Sequence, residues 1–220
     1  MITTPDLIES LVANAAPVRR LRPPVARAVG WLLFAALLLA LLAVAHGTRP
    51  DLELRLQQPG FVVGIAASLA TGVLASVASF IVSVPDRSRL WLLLPAPALA
   101  AWVTTIGYGC LTDWVSVQPG AVTLGETARC FATLMLVGGP LSIALLVMLR
   151  YAALLSPTPV AIMGSLAVAA MTATALSLFH ELDATVMVLI WNFGVAALLV
   201  ALGGLYGPRM LSWVAPRYPS

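Results

Sequence analysis

The chain has 220 residues, of which 60% are hydrophobic and 10% are charged, and its mean hydropathy is +0.98. This composition lies outside the range of soluble domains and is typical of a polytopic membrane protein. All 12 basic residues are arginine and the formal net charge is only +3, which argues against a nucleic-acid-binding protein with a basic face.

The N-terminal stretch at residues 4–24, TPDLIESLVANAAPVRRLRPP, predicts a short helix ahead of the apolar part of the chain. Thr4 fits the N-cap position, Pro5 fits the first helical position, and Asp6 supplies the negative charge that a helix N-terminus favours. Pro17 cannot continue a helix, so we expect the helix to end before it. A helix of about a dozen residues is only marginally stable alone in water, so its apolar face needs a surface to lie on.

The apolar residues of this helix recur at a spacing that places them on one face: Leu7, Ile8, Leu11, Val12 and Ala15. Three surfaces could receive that face: the lipid headgroups, the protein's own cytoplasmic loops, or a soluble partner. Because interfacial helices usually carry basic residues, the acids Asp6 and Glu9 favour a groove in a cytoplasmic partner. We predict Leu7, Ile8 and Leu11 as the main anchors in that groove.

Three arginines, Arg19, Arg20 and Arg22, stand between this helix and the first apolar run. Positive charge beside a membrane span sets its orientation, and this role needs no partner. The same charges would also suit contacts with an acidic partner surface, and both interpretations stay open. The predicted partner-binding residues are Asp6, Leu7, Ile8, Leu11, Val12, Arg19, Arg20 and Arg22.

Six apolar runs are long enough to cross a bilayer core of about 30 Å, which takes about 20 helical residues. They cover residues 28–45, 61–84, 90–109, 130–149, 159–178 and 185–206. Because lipid cannot satisfy an open strand edge, each run is predicted to be a helix.

The arginines predict the orientation of these spans. Nine lie on the side of the N-terminus, and three, Arg49, Arg55 and Arg129, lie on the other side. The positive-inside rule therefore places both termini in the cytoplasm. Two longer connections, residues 47–60 and 111–129, fall outside. The predicted fold class is all-α: a bundle of six transmembrane helices with a short N-terminal cytoplasmic amphipathic helix.

The predicted spans carry no acidic or basic residue in their middles, which disfavours a proton relay or an ion path. Their Ser, Thr and Gly residues, together with Asn192, are interpreted as helix-packing positions. The sequence contains neither an HExxH nor a CxxC spacing. We therefore expect no metal, no cofactor and no catalytic site.

Two cysteines, Cys110 at the end of the third span and Cys130 at the start of the fourth, are predicted at the outer surface. A disulfide between them would close a loop of about 20 residues, a stabilisation of about 3 kcal/mol by chain entropy. Two buried thiols that pack as small apolar side chains are an equal alternative. A third alternative is a redox-reactive thiol whose oxidation changes helix packing.

The stretch at residues 4–24 followed by six spans, and the ending IWNFGVAALLVALGGLYGPRMLSW at residues 190–213, resemble a known family. They are similar to the NrsF family of bacterial inner-membrane anti-sigma factors, negative regulators of the extracytoplasmic-function (ECF) sigma factor called sigma F. The likeness covers nearly the whole chain, and the N-terminal stretch is its most specific part.

This resemblance implies that the cytoplasmic segment holds an ECF sigma factor at the membrane and that a metal or oxidative stress signal outside releases it. It also implies two sensing cysteines on the outer face, one before the fourth span and one after the fifth beside a histidine. Cys130 matches the first, whereas Phe179 and His180 stand where the family has His-Cys. Either Cys110 substitutes in a pair with Cys130, or the signal does not involve thiols. His180 is a further candidate for outer-face sensing.

The sequence thus predicts a cytoplasmic sigma-binding segment (residues 1–27), a transmembrane domain (28–206) and a cytoplasmic C-terminal tail (207–220). We predict a non-enzymatic anti-sigma factor in the bacterial inner membrane. Its expected partners are an ECF sigma factor and the lipid bilayer, without direct contact to nucleic acid. The alternative is a small transporter or channel with six transmembrane helices, which the lack of charge in the middle of the spans disfavours.

Overall fold

The computed structural model describes residues 3–13, 22–84, 86–113, 124–149 and 157–179. This part of the chain is helical apart from its turns, and it contains no β-strand. In chain order its helices are α1 (Thr4–Ala13), α2 (Pro24–His46), α3 (Leu52–Arg55), α4 (Pro59–Val82), a 3-10 helix (Arg89–Leu93), α5 (Ala96–Asp113), α6 (Leu124–Leu149) and α7 (Pro157–Phe179).

Within the described residues, five helical segments are long and apolar enough to cross a membrane. They are Pro24–Ala45, Pro59–Val82, Arg89–Gly107, Ala132–Leu149 and Thr158–Phe179. These segments agree with the first five predicted spans to within a few residues at each end. The sixth predicted span, residues 185–206, and the predicted tail, residues 207–220, lie outside the described residues.

Proline begins three of the long helices: Pro24 in α2, Pro59 in α4 and Pro157 in α7. At the first helical position a missing N–H costs no bond, since that N–H has no partner inside the helix. Gly47 follows the end of α2 with a backbone φ of +74°, a value that residues with a Cβ rarely adopt. Its N–H donates to the Ala43 carbonyl at 3.0 Å. Local chemistry at the helix ends therefore sets these limits.

The third predicted span is not one continuous α-helix. The 3-10 helix Arg89–Leu93 is followed by a turn at Leu94 and Pro95, and α5 begins at Ala96. Pro95 and Pro97 lack the N–H donor that a helix interior needs, so an uninterrupted helix through both would lose two hydrogen bonds. The predicted span over residues 90–109 is therefore present, but its first residues form a separate 3-10 helix and not the start of α5. Pro97 is tolerated because it lies in the first turn of α5.

Both long connections contain more helix than the sequence predicts. The first includes the four-residue helix α3. The second is shortened from both sides, because α5 continues to Asp113 and α6 begins at Leu124. The length of an apolar run reflects the thickness of the membrane core. The helix that contains the run can be longer, because it continues for as long as its backbone hydrogen bonds form.

The long helices pack around α4 and α7, which share the most extensive contact in the described part of the chain. In the most apolar stretch of α7, 61% of the residues are buried, against 22% in α2 and 11% in the segment formed by the 3-10 helix and α5. α2 and α6 pack together beside this pair, and α5 packs against α4. α7 is therefore the central helix, and the exposed apolar side chains of α2 and α6 form an outer surface suited to lipid.

Successive long helices alternate in direction, so their ends gather in two groups. At the near end, where α2 begins, the Ser79 hydroxyl of α4 donates to the Val160 carbonyl of α7 at 3.2 Å. At the far end, where α2 finishes, the Arg49 N–H donates to the Leu178 carbonyl of α7 at 3.1 Å. The beginning of α4 also lies at the far end, with Phe61 beneath the Arg49 guanidinium.

Small polar residues line the contact between α4 and α7. The buried hydroxyl side chains of the two helices, with Ser83 directly after α4, are Ser68, Thr71, Ser76, Ser79, Ser83, Thr172 and Thr174. Most of these hydroxyls donate to a carbonyl three or four residues earlier in their own helix, as Thr71 does to Ala67 at 2.7 Å and Thr174 to Ala170 at 2.9 Å. The polar groups are thereby satisfied without water, which supports their interpretation as packing positions.

Glycine permits the closest approaches between helices. A Cβ at Gly164 of α7 would lie 2.6 Å from Leu145 Cδ2 of α6, and a Cβ at Gly72 of α4 would lie 3.0 Å from Met171 Cγ of α7. Ordinary contacts of a Cβ fall at 3.4–4 Å. The helices are therefore closer at these two points than a larger residue allows, as is usual for helices packed through small residues.

Candidate functional site

The N-terminal helix α1 is capped one residue earlier than the sequence predicts. The Thr3 backbone N–H donates to Asp6 Oδ2 at 3.2 Å, and the Thr3 hydroxyl donates to the same oxygen. These bonds lower the pKa of the Asp6 carboxyl, the hydroxyl more than the amide. Because α1 begins at Thr4, Thr3 is the N-cap, and Asp6 reaches back to it from the third helical position, as in a capping box.

The apolar side chains that the structure describes on α1 are exposed. Ile8 is 57% accessible and Val12 is 71% accessible. The acids Asp6 and Glu9 are exposed as well. A short amphipathic helix with an accessible apolar face is suited to a groove in a partner protein. The role of this face in partner binding stays a prediction.

The remaining predicted partner residues fall in three groups. The backbones of Leu7 and Leu11 belong to α1, but their side chains lie outside the described residues. Arg22 is exposed just ahead of α2. Arg19 and Arg20 lie outside the described residues altogether. Of the predicted partner-binding residues, the structure therefore describes the side chains of Asp6, Ile8, Val12 and Arg22.

A buried arginine lies where the N-terminal segment joins the bundle. Arg27, in the first turn of α2, is only 7% exposed. Its Nη2 donates to the Met148 carbonyl of α6, and its guanidinium lies 5.1 Å from the ring centre of Phe80 in α4. The Met148 carbonyl is among the last four of α6, which have no partner inside the helix. Arg27 satisfies it and brings positive charge to a helix C-terminus, where the dipole favours it.

A second bond joins the same two helices one turn further along α2. Trp31 is fully buried, and its Nε1 donates to the Leu141 carbonyl at 3.1 Å. Arg27 and Trp31 are four residues apart on one face of α2, and Leu141 and Met148 are seven apart on one face of α6. We call these four residues the α2–α6 clasp. Sequence reasoning assigns Arg27 to topology alone, because backbone acceptors leave no signature in a side-chain pattern.

A charged network occupies the far end. Arg49 is 4% exposed, and its Nε and Nη2 donate to Asp51 Oδ1 and Oδ2 at 2.6 and 2.8 Å. Arg55 Nε donates to Asp51 Oδ2 at 3.3 Å. The hydrogen bonds from Arg49 are the main reason that the pKa of Asp51 is lowered to about 2, while desolvation opposes the shift. The sequence gives no sign of this network beyond the presence of its charges.

Arg49 also attaches the connection after α2 to the end of α7. Its backbone N–H donates to the Leu178 carbonyl, one residue before α7 ends at Phe179. Its guanidinium lies 5.7 Å from the ring centre of Phe61 in α4. One residue thereby joins the end of α2, the beginning of α4 and the end of α7. The attachment lies two residues before His180 in the sequence.

The predicted sensing residues are only partly described. The backbones of Cys110 and Cys130 lie in α5 and α6, whereas their side chains, and the whole of His180, lie outside the described residues. The disulfide between the two cysteines stays a prediction. Among the described residues, no group of three or more His, Cys, Asp or Glu side chains could hold a metal ion.

The described features are suited to holding helices together and to presenting a binding surface. In the five apolar segments the charged residues are Arg27 and Arg89, each close to the beginning of its segment. The acids of α1, Arg22 just ahead of α2, and the network of Arg49, Asp51 and Arg55 at the far end all lie outside these segments. This distribution is typical of a membrane protein whose charged groups lie at the two ends of its helices and not in their middles.

Taken together, these observations define an all-helical protein whose long apolar helices are compatible with insertion in a membrane and whose N-terminal helix is exposed. The family model for NrsF, described as negative regulator of sigma F, matches residues 11–213. The chain belongs to the NrsF family, and hence to the anti-sigma factors that regulate transcription. No curated protein and no solved structure matches the sequence.

The range of the match bears on the N-terminal stretch. It includes all six predicted spans and begins at Leu11, within α1. Asp6, Leu7 and Ile8 therefore precede the matched residues. Family membership consequently rests on residues 11–213, which include the end of α1, Arg19, Arg20 and Arg22, and the spans. The role of the first turns of α1 rests on their own exposure and capping.

Proposed function

We propose that this chain is a membrane-embedded anti-sigma factor that holds an ECF sigma factor at the cytoplasmic face of the bacterial inner membrane. The N-terminal segment, residues 1–27, binds the sigma factor and keeps it from RNA polymerase. A metal or oxidative stress signal at the outer face releases it. The exposed apolar face of α1 carries the proposal, in a chain that belongs to a family of negative regulators of sigma F.

The binding mode is a helix in a groove. Ile8 and Val12 are accessible, and Leu7 and Leu11 share their face by helical spacing. A ten-residue helix offers little area, so a few deeply buried anchors must supply the affinity. The exposed acids Asp6 and Glu9 keep the opposite side of the helix in water. Arg19, Arg20 and Arg22 add charge contacts that guide the partner toward the membrane.

The arginine distribution supports the proposed orientation. The near end, with Arg22, Arg87 and Arg89, is the cytoplasmic end, and the far end, with Arg49 and Arg55, faces outward. The candidates for signal reception, Cys110, Cys130 and His180, then all lie toward the outer face. The sigma-binding segment lies on the opposite side, so a signal must cross the bundle to reach it.

Replacing two exposed anchors tests the binding mode. We expect Ile8→Asp with Val12→Asp to weaken the binding of purified sigma F from the same organism a hundredfold or more, since each anchor contributes about 2 kcal/mol. The dissociation constant would be measured by titrating sigma F against the full chain in lipid nanodiscs.

A matched control places the same two charges on the other side of α1. Ser10→Asp with Ala13→Asp changes exposed residues outside the apolar face, so sigma F binding should stay within about threefold of the unmodified chain. Equal binding by the two double variants would contradict a role for the apolar face. The circular dichroism of both proteins must match that of the unmodified chain.

Chemical labelling tests the orientation. In a background with Cys110→Ser and Cys130→Ser, the substitution Arg22→Cys should introduce a thiol that reacts with an impermeant maleimide only after the inner membrane is opened. Gln57 is exposed in the connection before α4, so the thiol of a Gln57→Cys variant should react in intact spheroplasts. The reverse pattern would refute the cytoplasmic placement of the N-terminal segment.

A further inference from the structure

α2 and α6 are joined at two points near the beginning of α2. Arg27 donates to the Met148 carbonyl, and Trp31 donates to the Leu141 carbonyl at 3.1 Å. Both donors are buried, with 7% and 0% of their surface exposed. Such bonds are costly to break in apolar surroundings, because no water replaces the lost partner. The α2–α6 clasp therefore makes the beginning of α2 and the second half of α6 move together.

Pro140 separates that second half from the first half of α6. It lies inside the helix and has no N–H, so the carbonyl four residues earlier receives no bond from it. Gly138 and Gly139 directly precede it, and neither contributes a side chain that stiffens the helix. α6 therefore has a natural place to bend, and both bonds of the clasp lie on the near-end side of that place.

The clasp also reaches α4. The guanidinium of Arg27 lies 5.1 Å from the ring centre of Phe80, which is fully buried. A cation over an aromatic face is attracted by the ring, and more strongly where water is excluded. Arg27 thus fixes the first turn of α2 against the ends of two neighbouring helices. The sigma-binding segment enters the bundle at this same turn.

We propose that Arg27 is a positioning residue for sigma-factor binding: the α2–α6 clasp fixes where the N-terminal segment leaves the bundle, and displacement of the second half of α6 changes that exit. The inference rests on the proposed function, because it concerns how α1 is presented to sigma F. α1 is joined to the bundle through residues 14–23. When α6 bends at Pro140, either the beginning of α2 follows or the clasp opens, and both outcomes alter the presentation of α1.

Hydrogen exchange of the full chain in nanodiscs tests the clasp without any partner. We expect Arg27→Gln to speed amide exchange in residues 24–31 by about ten- to hundredfold, the change in an opening equilibrium that accompanies loss of a charge-assisted hydrogen bond. Arg89→Gln removes an exposed arginine at the same end and should leave exchange there unchanged. Trp31→Phe, which loses only a neutral bond, should give a smaller increase.

Binding of purified sigma F supplies the second measurement. Arg27→Gln should weaken the dissociation constant at least fivefold, although it leaves every residue of α1 intact. Arg27→Lys should recover part of the loss, since an ammonium group can still donate to the Met148 carbonyl. Arg89→Gln should bind as the unmodified chain does. If Arg27→Gln fails to insert, Trp31→Phe carries the same comparison with a smaller expected effect.

The outcomes separate the clasp from the proposed function. Equal exchange in Arg27→Gln and Arg89→Gln would overturn the clasp. Faster exchange with unchanged sigma F binding would overturn the positioning role, because the junction would then loosen without consequence for α1. If the unmodified chain does not bind sigma F, the proposed function fails and the positioning role fails with it, whatever the exchange pattern shows.

Discussion

The contact of α7 with α6 at Gly164 makes the strongest prediction about packing. A Cβ there would lie 2.6 Å from Leu145 Cδ2 and 3.6 Å from the Ser79 hydroxyl of α4. Gly164→Ala therefore requires Leu145 to move by about 1 Å to regain an ordinary contact. Leu145 is only 6% exposed, so it must move among packed neighbours, either by a change in its side-chain torsion angles or together with a shift of α7 away from α6.

Two opposing terms set the size of the effect. Overpacking of a close contact costs about 1–3 kcal/mol. Alanine in place of glycine inside a helix returns about 1 kcal/mol. We therefore expect Gly164→Ala to lower the free energy of unfolding by about 0–2 kcal/mol. Gly107→Ala isolates the second term, because Gly107 lies inside α5 with no atom within 4 Å of its would-be Cβ. That control should be about 1 kcal/mol more stable than the unmodified chain.

The two variants would be compared by titration with SDS from mild detergent, with tryptophan fluorescence as the signal for unfolding. The difference between them, about 1–3 kcal/mol, is the overpacking term alone. Leu145→Ala in the Gly164→Ala background removes the colliding methyl groups, so the Gly164→Ala effect should shrink there. A Gly164→Ala chain as stable as the Gly107→Ala chain would refute the close approach of α6 and α7.

The Asp51 carboxyl should titrate near pH 2, and Arg49→Gln should raise its pKa toward the ordinary 3.8, as carbon NMR of labelled aspartate would measure. Because the folded pKa is the lower one, the network contributes stability above about pH 4 and loses it as the pH falls toward 2; loss only at high pH would contradict this assignment. Cys110 and Cys130 should be linked in the oxidised protein, and two free thiols on non-reducing mass mapping would reject the pairing. Trp31→Phe should cost about 1 kcal/mol in the SDS titration, and an unchanged midpoint would argue against the indole hydrogen bond.

The helices could be predicted, because each of them depends on a local signal in one continuous stretch of sequence. An apolar run of about 20 residues has few alternatives to a helix in lipid, which is why five predicted spans agree with the structure. α1 was predictable from its capping residues, and the one-residue difference at Thr3 reflects two adjacent threonines that both suit an N-cap. Pro95 also marks the break in the sequence, because its missing N–H interrupts a helix that the apolarity of the run alone would continue.

The contacts between helix ends could not be predicted. Arg27 and Arg49 both use backbone carbonyls of distant helices, at Met148 and Leu178. Every residue carries such a carbonyl, so no residue type marks the one that is used. Only the packing of the bundle decides which orphan carbonyl comes within reach of which arginine. The positive-inside rule relates the number of arginines to the side of the membrane. It does not indicate which of those arginines are buried in the bundle.

The contact between α4 and α7 has a consequence for how sequences of this kind can diverge. Most of its serine and threonine hydroxyls bond to their own helix. The polar contacts across it in the described part of the chain are the Ser68 and Thr174 hydroxyls, 2.9 Å apart, and the bond from Ser79 to the Val160 carbonyl. At the positions other than Ser68, Ser79 and Thr174, exchange among Ser, Ala, Gly and Thr should cost little, since it removes no interhelical bond and changes the volume only slightly. A larger side chain would push the helices apart. Drift among small residues can therefore continue independently at those other positions, whereas Ser68 and Thr174 should change as a pair.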